Sequence, residues 1–499
     1  MGLTRILRTL SHFLIPLGDG GPSWALPGGN RLFYPTQPDD EKGCRESERM
    51  HFHDKRKMIM TRGAAGYRGL GRLFILSVAL SLLTLAAPGV GAAKVYIDID
   101  APGFQKFPIA VDVFTGGAGE GDGEGNDVWF PDNIAGYLDM TGYFRIIPRS
   151  AFLEDPQKDR TRIIFSDWRT IGADYLVKGS FQRQARKLAV EMRLYDTVRG
   201  EVVREKRYQG TSEERKKMVI KFVNEILLAL TGEPGVFNTQ IAYVLKKGNN
   251  SEIQTVSFDG SSQTRITNYN SLTLAPRWSP DGRHISFTSY KDNNPDFYVR
   301  DLKAGTRKKV ASYPGINLSG AWSPDGRKIL LTLSKDGNQE IYAMDAASGY
   351  LQRLTYEYAI DVSPVWSPDG KKIAFVSNRA GSPQIYVMDR DGSNVKRLTY
   401  NGSYNTSPSW SPKGNRIAYE SKVGGTFQLF TIGAEGGTPQ QLTGEGGEYK
   451  HPSWSPDGRY LACTLSRRGV NKIAVMNANG TNIRVLCEGA NPAWSPMLE

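Results

Sequence analysis

The sequence predicts a mainly β protein, a six-bladed β-propeller preceded by a smaller α+β domain, on three observations. The tripeptide Trp-Ser-Pro recurs at Trp278, Trp322, Trp366, Trp410 and Trp454 with an unbroken 44-residue period, and once more at Trp494. Each period holds short alternating apolar runs separated by turn signals, the mark of one four-stranded blade. The sixth tripeptide is followed by Met497, Leu498 and Glu499, whereas three strand-like runs without a tripeptide stand ahead of the first.

Within the copy around Trp366, Val365 and Trp366 end a first strand. Ser367-Pro368-Asp369-Gly370 then supplies proline at the second turn position and glycine where a positive φ is wanted. Residues 372–376 form the second strand, 384–389 the third, and 395–399 the fourth after an Asp391-Gly392 turn. Asp-Gly recurs at Asp281, Asp325 and Asp457 and is replaced once, by Lys413-Gly414. The unpaired runs at 241–245, 252–258 and 264–267 mimic second, third and fourth strands. One shared blade built from both ends of residues 240–499 therefore closes the ring and removes its open edges.

Ahead of the ring, residues 73–87 are an apolar run preceded by Arg62, Arg68 and Arg72 and followed by Pro88 and small residues. This reads as a signal peptide over 58–93, cleaved after Ala92 or Ala93. A membrane anchor is the rival reading, but the dense apolar part is shorter than the roughly 20 residues a spanning helix needs. Met58 or Met60 is the expected start, and residues 1–57 are set aside as an upstream leader. The chain carries 63 basic and 51 acidic residues, of which 1–93 hold 12 and 7, leaving 51 against 44 and a net of +7. Both signs are interspersed and no basic stripe carries aromatic partners, which argues against nucleic acid. Cys463 and Cys487 fall on second and fourth strands with one strand between, roughly 10 Å apart and beyond bonding reach, so two free, packed cysteines are expected.

Residues 94–232 read as the α+β domain. Alternation marks 95–99, and an apolar stretch follows at 108–114. Residues 116–127 are glycine-rich but acidic and lack the lysine of a phosphate cradle, so a surface loop is expected. A helix over 131–140, a strand over 144–147 and longer strands over 174–183, 187–196 and 202–208 come next. Thr211 and Glu214 form a capping box for a helix whose apolar face runs from Val219 to Leu230 and which Gly232 and Pro234 end. Residues 233–239 are the linker.

No catalytic constellation emerges. His284 and His451 are isolated, no G-x-S-x-G elbow occurs, and Asp389-Arg390-Asp391-Gly392 lacks the glutamate that ends a calcium loop. The strict period of the tryptophans places each between neighbouring blades as core. What varies is the residue set that opens each inner strand: Ile316, Asn317, Leu318 and Ser319; Ile360, Asp361, Val362 and Ser363; Tyr404, Asn405, Thr406 and Ser407; Tyr449, Lys450 and His451; Gly489, Ala490 and Asn491. These are expected to ring the channel mouth as a protein-docking rim. Neutral loop drift is the bland alternative.

Several segments carry a likeness. Trp168, the run Gly172-Ala173-Asp174-Tyr175-Leu176-Val177 with Gly179, the junction Thr239-Gln240-Ile241-Ala242-Tyr243-Val244, the Trp-Ser-Pro-Asp-Gly blades and the ending Pro492-Ala493-Trp494-Ser495-Pro496 resemble the TolB family of the Tol-Pal system over 94–499. The resemblance implies a non-enzymatic periplasmic scaffold, a monomer without a membrane span in its mature form. It binds the lipoprotein Pal through a rim holding Ile316, Asn317, Ser319, Asp361, Val362, Ser363, Asn405, Thr406, Lys450, His451 and Asn491. The resemblance further implies that TolA binds the mature N-terminus, here Lys94, Val95, Tyr96, Ile97, Asp98 and Ile99, by strand addition. Maintenance of the outer membrane and its invagination at division are the implied roles, with other outer-membrane proteins as further candidate partners. No catalytic, cofactor or metal residues are implied; calcium in the channel stays open. A propeller-gated hydrolase and a metal-stabilised lectin-like ring are the readings from other classes.

Overall fold

The structure is a computed structural model that describes residues 105–116, 125–153, 163–184 and 186–498. The leader, the signal peptide, Lys94 to Ile99 and most of the acidic glycine stretch lie outside the described residues.

The first domain is a sheet with two long helices on one face and a short one on the other. Its strands are β1 (Phe107–Val111), β2 (Thr115–Gly116), β3 (Phe144–Ile146), β4 (Tyr175–Gln184), β5 (Lys187–Asp196) and β6 (Glu201–Gly210), in the order β3-β1-β4-β5-β6 with β2 on β4. β1 runs parallel to β3 and β4, and β4-β5-β6 is an antiparallel meander. Alternation does the sorting: Leu188, Val190, Met192 and Leu194 of β5 are buried, while Glu191, Arg193 and Tyr195 face the other way and are half-buried. The buried side packs on α1 (Asn126–Met140) and α3 (Arg215–Thr231) through Phe130, Ile134, Leu138, Val219, Phe222 and Ile226. A short α2 (Phe165–Thr170) covers the opposite side with Trp168.

Two expectations need correction here. The helix expected from Pro131 starts at Asn126, so Pro131 lies inside it. Proline leaves the carbonyl four residues earlier without its helical donor; that carbonyl, of Asp127, accepts instead from the Phe114 N–H at 2.9 Å. The glycine-rich stretch is likewise not loop throughout: Gly116 belongs to β2, Gly125 caps α1 at φ 62°, and Asn126 and Asp127 are helical. The capping box at Thr211 and Glu214 is present on a 3-10 turn that leads into α3, and Gly232 ends that helix at φ 79°. The stretch expected as a linker is packed, because Val236 and Phe237 are apolar and buried, Phe237 against Tyr137 and Phe258.

Residues 240–498 form six four-stranded sheets. Five are sequential hairpins. The sixth pairs Ala490–Trp494 with Gln240–Lys247, followed by Asn250–Ser257 and Gln263–Arg265, as the arithmetic of the tripeptides requires. Beyond the ladder, the Gln240 N–H donates to Ser495 Oγ (3.0 Å) and the Ser495 N–H to the Gln240 carbonyl (2.8 Å). Three tryptophans link blades: the indole N–H of Trp278 donates to the Ala493 carbonyl, that of Trp322 to Ser286 and that of Trp454 to the Ser409 carbonyl, each in the preceding blade, whereas that of Trp410 donates to the Gly414 carbonyl of its own blade. Cys463 is buried and Cys487 half-buried, and both are free.

In each Ser-Pro-Asp-Gly turn the aspartate has a task. Asp325 accepts the Ser323 hydroxyl and the Arg327 N–H, which hold its carboxyl below the usual range; Asp281, Asp369 and Asp457 repeat the contacts. Lys413 cannot accept, and its turn relies on Gly414 and the Gly414 N–H bond to the Ser411 carbonyl. Asp325→Ala is therefore expected to lower stability by about 1 kcal/mol, and Lys413→Ala by less than roughly 0.5 kcal/mol, as read from urea midpoints at unchanged slope.

Candidate functional site: the channel wall and the open face

The first domain sits on one face of the ring. Arg459, in the first turn of the fifth blade, donates to Thr231 Oγ1 (3.0 Å) and pairs with Glu233 (3.2 Å). In the third-to-fourth-strand turns, Asn482 donates to the Met140 carbonyl, and Asp259 meets Tyr137 and Lys216. All these turns lie on the side of the Trp-Ser-Pro-Asp-Gly hairpins. The loops after second and fourth strands open on the opposite side.

Each inner strand breaks register three residues before its tryptophan, at Leu274/Arg277, Ser319/Trp322, Val362/Val365, Thr406/Ser409, Lys450/Ser453 and Ala490/Ala493. There Ala275, Ser363, Ser407, His451 and Asn491 take left-handed φ of 52–55°, each followed by proline. The proline lacks a donor and needs none, since an inner strand is an edge strand facing the channel. In the second blade Gly320 replaces the proline, and a Cβ there would stand 2.1 Å from the Leu330 carbonyl oxygen.

This geometry sets most of the residues expected at the rim into the channel wall. Ile316, Asn317, Asp361, Val362, Asn405, Thr406, Lys450 and Asn491 are buried, and Ser363 and His451 half-buried; Ser319 lies in the strand Asn317–Trp322. They are wall rather than lip, because the residues that open each inner strand tie the preceding loop down. Asn317 donates to the Tyr313 carbonyl and accepts its N–H, and Asn405 donates to Gln384 Oε1 and the Asn401 carbonyl.

At the equivalent place in the third blade stands a carboxyl. Asp361 is fully buried; Arg379 donates to its Oδ2 at 2.8 Å, and Oδ1 has no hydrogen-bond partner. Burial pushes the group up to about 6, against the pull of Arg379 and with the buried Glu340 adding to the rise. A second inward carboxyl, Glu420, replaces the threonine of Thr288, Thr332 and Thr464 on its second strand. It accepts the His451 N–H (2.6 Å) and the Ser407 hydroxyl (3.2 Å), yet burial raises it to about 7. His451 is driven down to about 3 by burial and by the charges of Lys450 and Arg277, so its ring is neutral; Nδ1 lies 3.3 Å from Thr464 Oγ1. Lys450 pairs with Glu448 (2.7 Å) over the Phe427 ring. Arg277, Glu420 and Glu448 were not singled out by the sequence reading, although aligning the repeats shows Arg277 and Glu420 each breaking its column.

Calcium takes six to eight oxygen ligands, usually with several carboxylates. Around His451 the wall offers the carboxyl of Glu420, held protonated to near neutrality, beside Lys450 and Arg277, and this donor set does not fit calcium. Among the described residues there is no group of three His, Cys, Asp or Glu side chains placed to hold a metal, and no helix is long and apolar enough to cross a membrane.

On the open face, the loops after the fourth strands of the second and third blades expose three tyrosines, Tyr356 (73%), Tyr358 (105%) and Tyr400 (70%). Arg353 lies over Tyr356 and Arg397 over Tyr400, at 4.7 and 4.8 Å from the ring centres. Their place in polar turn segments was the available sequence signal.

The family profile described as the TolB amino-terminal domain matches residues 95–203, and the TolB beta propeller domain matches 228–417 and 401–498. The chain belongs to the TolB family. Tol-Pal system protein TolB of Syntrophus aciditrophicus (strain SB) is 48% identical over 234 residues, 45% of this chain and 51% of that protein. Tol-Pal system protein TolB of Desulfosudis oleivorans is 39% identical over 216 residues, 42% and 49% of the two. The chain thus spans about half the length of the curated relatives it matches. The crystal structure of TolB from Acinetobacter baumannii superposes with a TM-score of 0.70 at 28% identity, covering 79% of this chain and 97% of that one.

A carboxyl whose folded-state pKa lies above its unfolded value contributes stability that is complete below about 4 and lost as pH rises through about 6. Asp361→Asn, which restores the side chain of the neighbouring blades, is expected to abolish that fall, a difference on the order of 2 kcal/mol between pH 4 and 7. Urea titrations of both proteins across that range check it.

Proposed function

We propose that the protein is a non-enzymatic periplasmic docking scaffold of the Tol-Pal system, a monomer that receives the Pal lipoprotein on the open face of its propeller. TolA takes the segment Lys94 to Ile99 by strand addition, and the pair of attachments serves outer-membrane integrity and inward movement of that membrane at division. Family membership supports the system. The observation that carries the docking mode is the asymmetry of the ring: one face holds the first domain, and the other presents Tyr356, Tyr358 and Tyr400 around a polar channel. Exposed tyrosines of this kind are anchors at protein interfaces, since their large rings lose little rotamer entropy on binding.

Binding of the purified Pal domain by biolayer interferometry tests this. The triple change Tyr356→Ala, Tyr358→Ala and Tyr400→Ala is expected to weaken Pal at least about tenfold, whereas Tyr350→Ala, in a turn on the other face, leaves it unchanged. Removing residues 94–105 is expected to abolish TolA capture and preserve Pal binding. Full Pal affinity in the triple variant, or undiminished TolA capture by the truncated chain, overturns the respective assignment.

A further inference from the structure

Arg277 stands one residue before the first tryptophan, where the other five copies carry Ala321, Val365, Ser409, Ser453 and Ala493. Small or apolar side chains at this point of an inner strand leave the channel free; a guanidinium does not. Arginine brings five N–H donors and a charge it keeps at every working pH. Here Nη1 donates to the carbonyl of its own neighbour Pro276 at 2.9 Å, and among the described residues no carboxylate lies within ion-pairing distance.

Several other enclosed cations of the ring are paired. Arg379 has Asp361, Arg353 has Glu340, Arg459 has Glu233 and Lys450 has Glu448, at 2.7–3.2 Å. Arg277 is half-buried; a charge withdrawn from water without a counter-charge is costly, and burial weakens even arginine's hold on its proton, down to about 10. Glu420, on the second strand of the fourth blade, is committed to the His451 N–H and the Ser407 hydroxyl. Burial first, and then the charges of Lys450 and Arg277, hold the His451 ring neutral, and its Nδ1 lies 3.3 Å from Thr464 Oγ1.

We infer that the propeller channel is an oxyanion site, taking one carboxylate or phosphate group on the Arg277 guanidinium. A charge-assisted pair of N–H bonds to an oxyanion is the geometry a guanidinium fork favours, and an enclosed channel with little competing water strengthens it. The same chemistry can arrive as a free ion or as an acidic side chain of a polypeptide seated on the open face. The inference does not depend on which partner that face receives.

Calorimetry on the full chain at pH 7 and fixed ionic strength separates the two sources, with acetate and phosphate as free ions and capped Gly-Glu-Gly amide as a chain-borne carboxylate, each against chloride. Binding of either kind is expected in the wild type, and Arg277→Met is expected to weaken it at least about tenfold. Free ions alone binding identifies a small-ion site; the peptide binding more tightly identifies a side-chain site. Should the variant fail to fold, crystals of the wild type soaked in selenate decide, with anomalous density expected at Arg277. No oxyanion-specific heat in the wild type, heat undiminished in a folded Arg277→Met, or selenate bound away from Arg277 overturns the site.

Discussion

The pairing of Ala490–Trp494 with Gln240–Lys247 is the constraint on which the rest of the molecule depends. A ring of sheets has no interior until it closes, because each blade buries its two faces only against two neighbours. Here closure joins strands some 250 positions apart in sequence, as between Trp494 and Ile241. The ladder alone is short. Side chains reinforce it: the Trp494 indole N–H donates to Thr239 Oγ1 at 2.8 Å, its ring packs near Phe258 and Tyr460, and the Leu498 N–H reaches the Asn238 carbonyl.

The first domain is fastened to that same seam. Phe258 of the closing blade touches Trp494, Tyr460 and Phe237, and Phe237 touches Tyr137 of α1, so one aromatic chain runs from the closure into the core of the neighbouring domain. Domain attachment and ring closure thus share a single hydrophobic cluster rather than two separate ones. The consequence for the rest of the ring is freedom. Blades one to four carry no described contact with the first domain, and the exposed tyrosines sit on the second and third of them.

How far the sequence went depends on which forces are local. The 44-residue period, the Ser-Pro-Asp-Gly turns and the capping box are written in adjacent residues, so blade number, the shared closing blade and α3 could all be read. Pro131 misled because propensity places proline at helix starts, whereas a tertiary bond from Phe114 to the Asp127 carbonyl satisfies the group it leaves bare. The rim misled for a related reason. Residues that open an inner strand look like loop by variation, but Asn317, Asp361 and Asn405 vary little in shape; the two amides fix the preceding loop, and the Asp361 carboxyl holds Arg379 of the following one. What the period concealed is the informative part: Arg277, Glu420 and Asp361 each interrupt a column of neutral residues, and that interruption becomes visible only when columns are known to meet in one channel.

Those interruptions have a common electrostatic sense. A wall of backbone edges and small side chains is close to neutral, so each ionisable group placed in it dominates its surroundings. Burial raises the two carboxyls, Asp361 to about 6 and Glu420 to about 7, and lowers the imidazole of His451 to about 3. Near neutral pH Glu420 is therefore only partly charged, Asp361 is mostly ionised beside Arg379 and the histidine is uncharged, while Arg277 stays positive because arginine cannot give up its proton in this range. An anion entering the channel would then meet Arg277 without any cluster of basic residues around it, and raised acids oppose it less than fully charged ones would. A chain with mixed surface charge can in this way present a selectively anion-favouring interior, directly behind a face whose exposed tyrosines suit contact with another protein.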